Sequence, residues 1–255
     1  MSCVVDVKSV TKGFEGQDVL KGISLCFSEG RLHGLVGPGG VGKSLLLRII
    51  ATLLPPDRGT VVVFGKDVYA LAPDELITIR RKIGFQFQNL ALFDFLSVKE
   101  NVAFPITQGR PEALTPEVEE RVRAVLNAVG LHGTEELGIH ELSGGMQRRV
   151  AMARALLFEP SILILDDPSA GLDPVTSSRI FELIRRHFER TGCTVIVATQ
   201  DVDRLTKIAD YVHILYNGEV RFTGTLEEAW SCKDEVVQQF FPNPEKAGGS
   251  APSLH

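Results

Sequence analysis

A chain of 255 residues, 44% hydrophobic and 23% charged, is long enough for one large α/β domain or two small ones with ample core. A net charge of -5 without a long basic run argues against nucleic acid as a partner, and no apolar run reaches the ~20 residues of a membrane span. Cys3, Cys26, Cys193 and Cys232 show no C-x-x-C spacing and read as reduced thiols of a cytosolic protein, not as a disulfide frame or a zinc site.

The N-terminus, Met1-Ser2-Cys3-Val4-Val5-Asp6, has no signal-peptide pattern, so the chain is expected to be soluble, with room for a membrane-embedded partner. Residues 4–10 and 19–27 read as two strands joined by the turn Lys12-Gly13-Phe14-Glu15-Gly16. Phe14 is the one aromatic of that turn; it either stacks on a nucleotide base or covers the sheet edge.

Residues 31–36 read as a strand and 45–50 as a helix. Between them Gly37-Pro38-Gly39-Gly40-Val41-Gly42-Lys43-Ser44 fits the phosphate-loop pattern G-x-x-x-x-G-K-S/T. Its glycines let the backbone curl with N–H groups pointing inward, since no Cβ blocks the turn or the ligand. The helix that follows adds the positive end of its dipole. Lys43 supplies a charge for the β and γ phosphates, and the Ser44 hydroxyl is a Mg²⁺ ligand.

Pro55-Pro56-Asp57-Arg58-Gly59 stops that helix. Residues 60–64 read as a strand, 65–67 as a turn, 73–82 as a short charged helix and 83–87 as a strand that delivers Gln88 to its end. An unusually apolar connector, residues 90–96, comes next. From 97 to about 157 the pattern is helical and resembles an inserted helical subdomain. Ser97 with Glu100 reads as a capping box for a helix through Phe104 that Pro105 closes, and residues 116–129 as an amphipathic helix capped by Gly130. Strands and helices then alternate: strands at 161–165, 194–198 and 211–216, helices at 175–190 and 202–208, and the Asn217-Gly218 hairpin into 219–222. A short helix at 225–230 precedes a Pro, Gly and Ser-rich tail, 242–255, which is expected to be disordered.

Leu142-Ser143-Gly144-Gly145-Met146-Gln147 precedes a helix over 148–157. Ser143 is an N-cap, and two glycines expose N–H groups at the helix start; this is either a second anion site or a helix cap and nothing more. Ile162-Leu163-Ile164-Leu165-Asp166-Asp167-Pro168 sets two carboxylates after a buried strand, where an acid of a phosphate-loop protein holds Mg²⁺ through water.

Together and in this order, these motifs make the chain resemble the ATP-binding subunit of an ABC transporter over residues 4 to 230. The resemblance implies a RecA-like phosphate-loop NTPase core of α/β class, with an N-terminal antiparallel β subdomain and a helical subdomain inserted at about 89–157. It implies one ATP-binding domain over 1–241, and ATP and Mg²⁺ as ligands. By position, Phe14 resembles the adenine-stacking aromatic. Gly37, Pro38, Gly39, Gly40, Val41, Gly42, Lys43, Ser44 and Leu45 cover the phosphate loop, and Gln88 looks like the glutamine that contacts Mg²⁺ and the attacking water. Ser143, Gly144, Gly145 and Gln147 form the signature, which binds the γ-phosphate held by the other subunit. Ser44, Gln88 and Asp166 are the implied metal set, and Asp173 lies in the loop that follows. A head-to-tail dimer, a homodimer of such subunits, is implied, with a transmembrane permease partner on the cytoplasmic face of the inner membrane.

Three positions depart from the family. Leu45 stands where a second hydroxyl is usual, Asp167 where the catalytic glutamate stands, and Gln200 where the switch histidine stands. The last two bear on hydrolysis and not on ATP binding. Residues 87–105, with A-L-F-D where many importers have A-L-F-P, look most like the ATPases of bacterial Mla and other MCE-linked lipid transporters. That implies a lipid or another hydrophobic substrate and an MCE-type or substrate-binding protein reached through the complex. Two functions follow: a transport ATPase in which Asp167, Gln88 and Gln200 serve catalysis, or an ATP-operated regulatory clamp with little hydrolysis.

Overall fold

In the first strand buried Val5 and Val7 alternate with Asp6 and Lys8, and a register shift after Val7 brings Val10 back to the buried face. The computed structural model describes residues 2–243. In chain order its elements are β1 (Cys3–Phe14), β2 (Gln17–Ser28), β3 (Leu32–Val36), α1 (Lys43–Ile50), β4 (Arg58–Val63), β5 (Lys66–Asp67), α2 (Pro73–Arg80) and β6 (Ile83–Gln86). There follow α3 (Val98–Thr107), α4 (Pro116–Ala128), α5 (Gly144–Leu156), β7 (Ile162–Asp166), α6 (Pro174–Thr191) and β8 (Thr194–Ala198). The last are α7 (Val202–Leu205), β9 (Tyr211–Tyr216), β10 (Glu219–Thr225), α8 (Leu226–Ser231) and α9 (Glu235–Phe240). These elements fall into two units, one of residues up to 69 with those from 198 onward, the other of residues 70–197.

The first unit holds the antiparallel sheet β2-β1-β4-β5. It also holds β9, which pairs antiparallel with β10 and parallel with β3. All five residues of β3 are buried, and it leads straight into the phosphate loop. Helix α1 buries Leu46, Leu47, Ile49 and Ile50. The turn expected at residues 12–16 is tighter: Phe14 is the last residue of β1 and pairs with Gln17. Glu15 and Gly16 alone make the bend, with φ of 51° and 81°. A two-residue hairpin turn of this hand needs positive φ at both positions, which Gly16 supplies without strain.

The cysteines do not all stay reduced. Cys3 and Cys26 form a disulfide, with Cα atoms 5.4 Å apart. The spacing rule failed because the partners meet across antiparallel strands, where sequence separation says nothing about distance. Cys193, buried, and Cys232 are free thiols, as expected.

In the second unit β6 and β7 pair in parallel, and every residue of β7 and β8 is buried. Such continuous burial is what a parallel strand covered on both faces requires. Three helices of the expected run, α3, α4 and α5, pack through Val98, Val102, Ala103, Val122, Leu126, Val150 and Met152. The Ser97–Glu100 capping box is present. Pro105 does not close α3; it sits inside it, and the helix ends at Gln108, whose N–H donates to Phe104 O at 2.8 Å with φ of 51°. Proline costs a helix the bond to the carbonyl four residues back, and one more turn of packing outweighs that loss here. Gly130, φ 70°, follows α4 in the left-handed conformation that ends helices. Helix α9 was not anticipated; Asp234 caps it. Of the tail expected to be disordered, residues from 244 onward lie outside the described ones.

Candidate nucleotide site

In the first unit β3 ends at Val36 and the chain turns through glycines. A Cβ on Gly37 would lie 2.2 Å from Leu215 O, so only glycine fits. Gly40 has φ of 76° and open space where a side chain would go; Gly42 has φ of 104° and caps α1 in the left-handed conformation. A Cβ on Gly42 would meet Leu20 Cδ2 at 2.6 Å, so β2 packs directly beneath the loop. Pro38, Gly39 and Gly40 are exposed and Val41 half-buried. The result is a cradle of backbone N–H groups at a helix start, shaped for phosphate.

Lys43 is the first residue of α1 and is 9% exposed. Its Nζ donates to Gly37 O at 2.8 Å and Pro38 O at 2.9 Å, which holds the ammonium over the loop. Ser44 and Leu45 follow, both half-buried. Gln200, exposed at the end of β8, brings Nε2 to 3.9 Å from the Cβ position of Gly39. The structure thus sets the Gln200 amide beside the phosphate loop. Thr199 fixes the turn: its N–H donates to Leu35 O at 3.2 Å and its Oγ1 accepts from Asp201 N at 3.0 Å. Phe14, 52% exposed, offers a ring face at the hairpin tip, with Lys12 Nζ 5.9 Å from its centroid.

The second unit carries the other candidates. Asp166 is the last residue of β7 and is 2% exposed. Burying a carboxylate this deeply is costly unless a cation or hydrogen bonds compensate, which suits a Mg²⁺ ligand. Asp167 follows with φ of 47°, a left-handed conformation that aspartate adopts more readily than most non-glycine residues. Arg148 on α5 reaches the loop after it, donating from Nη1 to Asp167 O at 3.4 Å and from Nη2 to Ala170 O. Burial pushes the Arg148 guanidinium down from its ordinary value, while the charge of Asp167 pushes it up.

Ser143 caps α5, its Oγ accepting from Met146 N at 3.3 Å. Gly144 is exposed, whereas a Cβ on Gly145 would meet Thr176 Cγ2 at 2.6 Å. Gly145 is therefore required for packing against α6 as well as for an open helix start. Gln147 turns inward: its Nε2 donates to Ile139 O at 3.1 Å and Leu142 O at 3.3 Å, bracing the signature turn. Asp173 caps α6, accepting from Val175 N at 2.9 Å and Thr176 N at 3.0 Å. Hydrogen bonds from Thr176 hold its carboxyl below the usual range.

Gln88 is exposed in the turn after β6. The connector beyond it includes two left-handed residues, Leu90 (φ 62°) and Ala91 (φ 47°). Arg154 of α5 clamps both, donating to Ala91 O at 2.6 Å and to Leu90 O. Asn101, fully buried in α3, donates from Nδ2 to Phe93 O, Leu96 O and Ser97 O, and accepts at Oδ1 from Phe93 N. This presents Phe95 to solvent at 82% exposure. Sequence reasoning missed Arg148, Arg154 and Asn101. The only signal was Asn101 itself, a polar residue on the inward stripe of an amphipathic pattern.

The chain is similar to proteins of known class. The ABC transporter family pattern matches residues 20–170. The intermembrane phospholipid transport system ATP-binding protein MlaF of Haemophilus influenzae is 36% identical, covering 93% of this chain and 89% of its own. The energy-coupling factor transporter ATP-binding protein EcfA of Methanocaldococcus jannaschii is 40% identical, covering 87% and 78%. A dimeric ATP-binding cassette solved in a post-hydrolysis state with ADP and Pi superposes with a TM-score of 0.78 at 35% identity, over 87% of this chain and 98% of that one. The chain belongs to the ABC transporter family, as an ATP-binding subunit of the ABC ATPase type with a RecA-like α/β fold.

Proposed function

We propose that this subunit binds and hydrolyses ATP with Mg²⁺ to drive a membrane permease that moves a lipid or another hydrophobic substrate. The phosphate loop carries the proposal: a glycine turn closed too tightly for a side chain at Gly37 and Gly42, with the Lys43 ammonium held over it. Residues 1–241 act as one ATP-binding domain, with the helical insertion at about 89–157. Loop N–H groups and Lys43 hold the β and γ phosphates, and Phe14 stacks on the base. Ser44, Gln88 and Asp166 hold Mg²⁺, which when bound neutralises phosphate charge. Asp167 orients or deprotonates the attacking water, and the Gln200 amide hydrogen-bonds a γ-phosphate oxygen. The lipid assignment is supported by the A-L-F-D connector and by the phospholipid transport named for MlaF of Haemophilus influenzae; EcfA is similar in sequence and belongs to a different transport class.

Ser143, Gly144 and Gly145 complete the site in trans, binding the γ-phosphate of the ATP held by a second copy in a head-to-tail dimer. The permease anchors that dimer to the cytoplasmic face of the inner membrane, and an MCE-type or substrate-binding protein joins through the complex. Among the described residues no helix is long and apolar enough to cross a membrane, in keeping with this peripheral attachment. Sedimentation of the purified chain and of its permease complex with ATP and Mg²⁺ tests the clamp. ATP should drive dimerisation, and Ser143→Glu should abolish it while leaving ATP binding by the monomer intact. Sedimentation unchanged by ATP in both preparations would overturn the clamp.

A further inference from the structure

We propose that Arg148 is the positioning residue of Asp167, fixing the backbone that aims its carboxylate. This rests on the reading of Asp167 as the residue that orients or deprotonates water.

A glutamate reaches an attacking water through two methylenes and finds its place by side-chain rotation. Asp167 has one, so its carboxylate goes where the backbone sends it. That backbone is left-handed at φ 47°, a conformation that aspartate tolerates better than most L residues and that sets the direction of its short side chain. Two hydrogen bonds hold the carbonyl that follows it. Ala170 N donates to Asp167 O at 3.2 Å, closing a turn. Arg148 then spans both ends of that turn, Nη1 on Asp167 O at 3.4 Å and Nη2 on Ala170 O. Only a planar fork of donors serves two carbonyls three residues apart; a lysine ammonium is a point charge on a flexible stem. The guanidinium also stands close enough to Asp167 for their charges to interact.

The location adds a consequence. Arg148 lies on α5, the helix whose N-cap is Ser143. A small rotation of α5 when Ser143 engages a phosphate therefore moves the tether of Asp167. One guanidinium links the signature to the water-activating carboxylate of the same chain.

The test is steady-state ATP hydrolysis by the complete transporter complex, with kcat and KM read separately. Arg148→Met should lower kcat on the order of 10-fold while KM for ATP changes less than about twofold, since a displacement below ~1 Å costs up to ~10²-fold. Arg148→Lys should recover little of it. Within an Asp167→Asn background Arg148→Met should have no further effect, because the carboxylate it positions is gone. An unchanged kcat for Arg148→Met, or an equal loss in the Asp167→Asn background, overturns the positioning role and leaves Asp167 catalytic. If Asp167→Asn alone matches wild type, the reading of Asp167 fails and this proposal with it. Should Arg148→Met not fold, Arg148→Gln, which keeps one amide donor, is read by the same criteria.

Discussion

His33 Nδ1 lies 3.0 Å from His213 Nε2, joining β3 to β9 through two buried imidazoles. His33 Nε2 donates to Ser28 O at 3.1 Å, so its Nδ1 accepts from His213 Nε2–H. His213 Nδ1 then accepts from Thr223 Oγ1 at 3.2 Å. With both rings neutral, a continuous chain of hydrogen bonds crosses the first unit. Phe27 packs edge-on against both rings and Tyr211 stacks on His33.

This pair makes stability fall in acid. Burial, reinforced by the neighbouring His33, pushes His213 down to about 3 from 6.5; burial lowers His33 as well, against its hydrogen bond to Ser28 and the charge of Asp210 and with Arg31. The unfolded chain binds protons first, so the contribution is complete above pH 6.5 and is lost as pH falls from 6.5 toward 3. Each such group costs up to about 1.4 kcal/mol per pH unit in that window. Denaturant unfolding at pH 7, 6 and 5 should show this slope, and His213→Asn should reduce it. His187, lowered to about 4 mainly by burial, acts in the same direction and leaves a residual slope.

Two glycines of the phosphate loop should separate folding from binding. Gly37→Ala drives a Cβ to 2.2 Å from the Leu215 carbonyl, and backbone cannot give way cheaply. It should lower the unfolding free energy by about 1–3 kcal/mol. Gly40→Ala meets nothing within 4 Å. It should stay close to wild type in stability, less about 1 kcal/mol for its positive φ, yet bind ATP at least about tenfold more weakly, since a methyl on this exposed loop residue crowds the approach of the phosphates. Thermal melts with nucleotide titration check both.

Phe95 should couple the subunit to its permease. It is 82% exposed on a loop held from inside by Asn101. Phe95→Asp should change stability by no more than about 0.5 kcal/mol and abolish co-purification with the permease. Asn101→Ala should cost about 1–3 kcal/mol, because it takes the side-chain partner from the Phe93 N–H and from Leu96 O, and should also weaken the permease contact. Retention of the permease by Phe95→Asp would remove this role.

The strands and the ligand loop were legible because local rules decide them. Val195, Ile196 and Val197 read as a buried strand at any position in a chain, and the spacing from Gly37 to Ser44 carries its own chemistry. What stayed hidden depends on residues far apart in sequence. Cys3 met Cys26 through strand pairing. Arg148 and Arg154 look like the polar face of a helix, yet each clamps backbone carbonyls of another loop, 22 and 64 residues away at the furthest. Pro105 followed the local rule for a helix breaker and was overruled by the packing of α3 on α5. The carboxylates at the end of β7 were legible as a pair, but the left-handed turn at Asp167 was not, since nothing in Asp-Asp-Pro requires it.

Whether Asp167 acts on the attacking water is decided by ATP turnover of the complete membrane complex. Asp167→Asn keeps the shape and removes the charge, so turnover should fall at least about tenfold. Asp167→Glu restores the missing methylene, worth up to ~1.5 Å of reach, and should exceed wild type. Turnover of Asp167→Asn equal to wild type would contradict this role and leave the subunit an ATP-operated clamp.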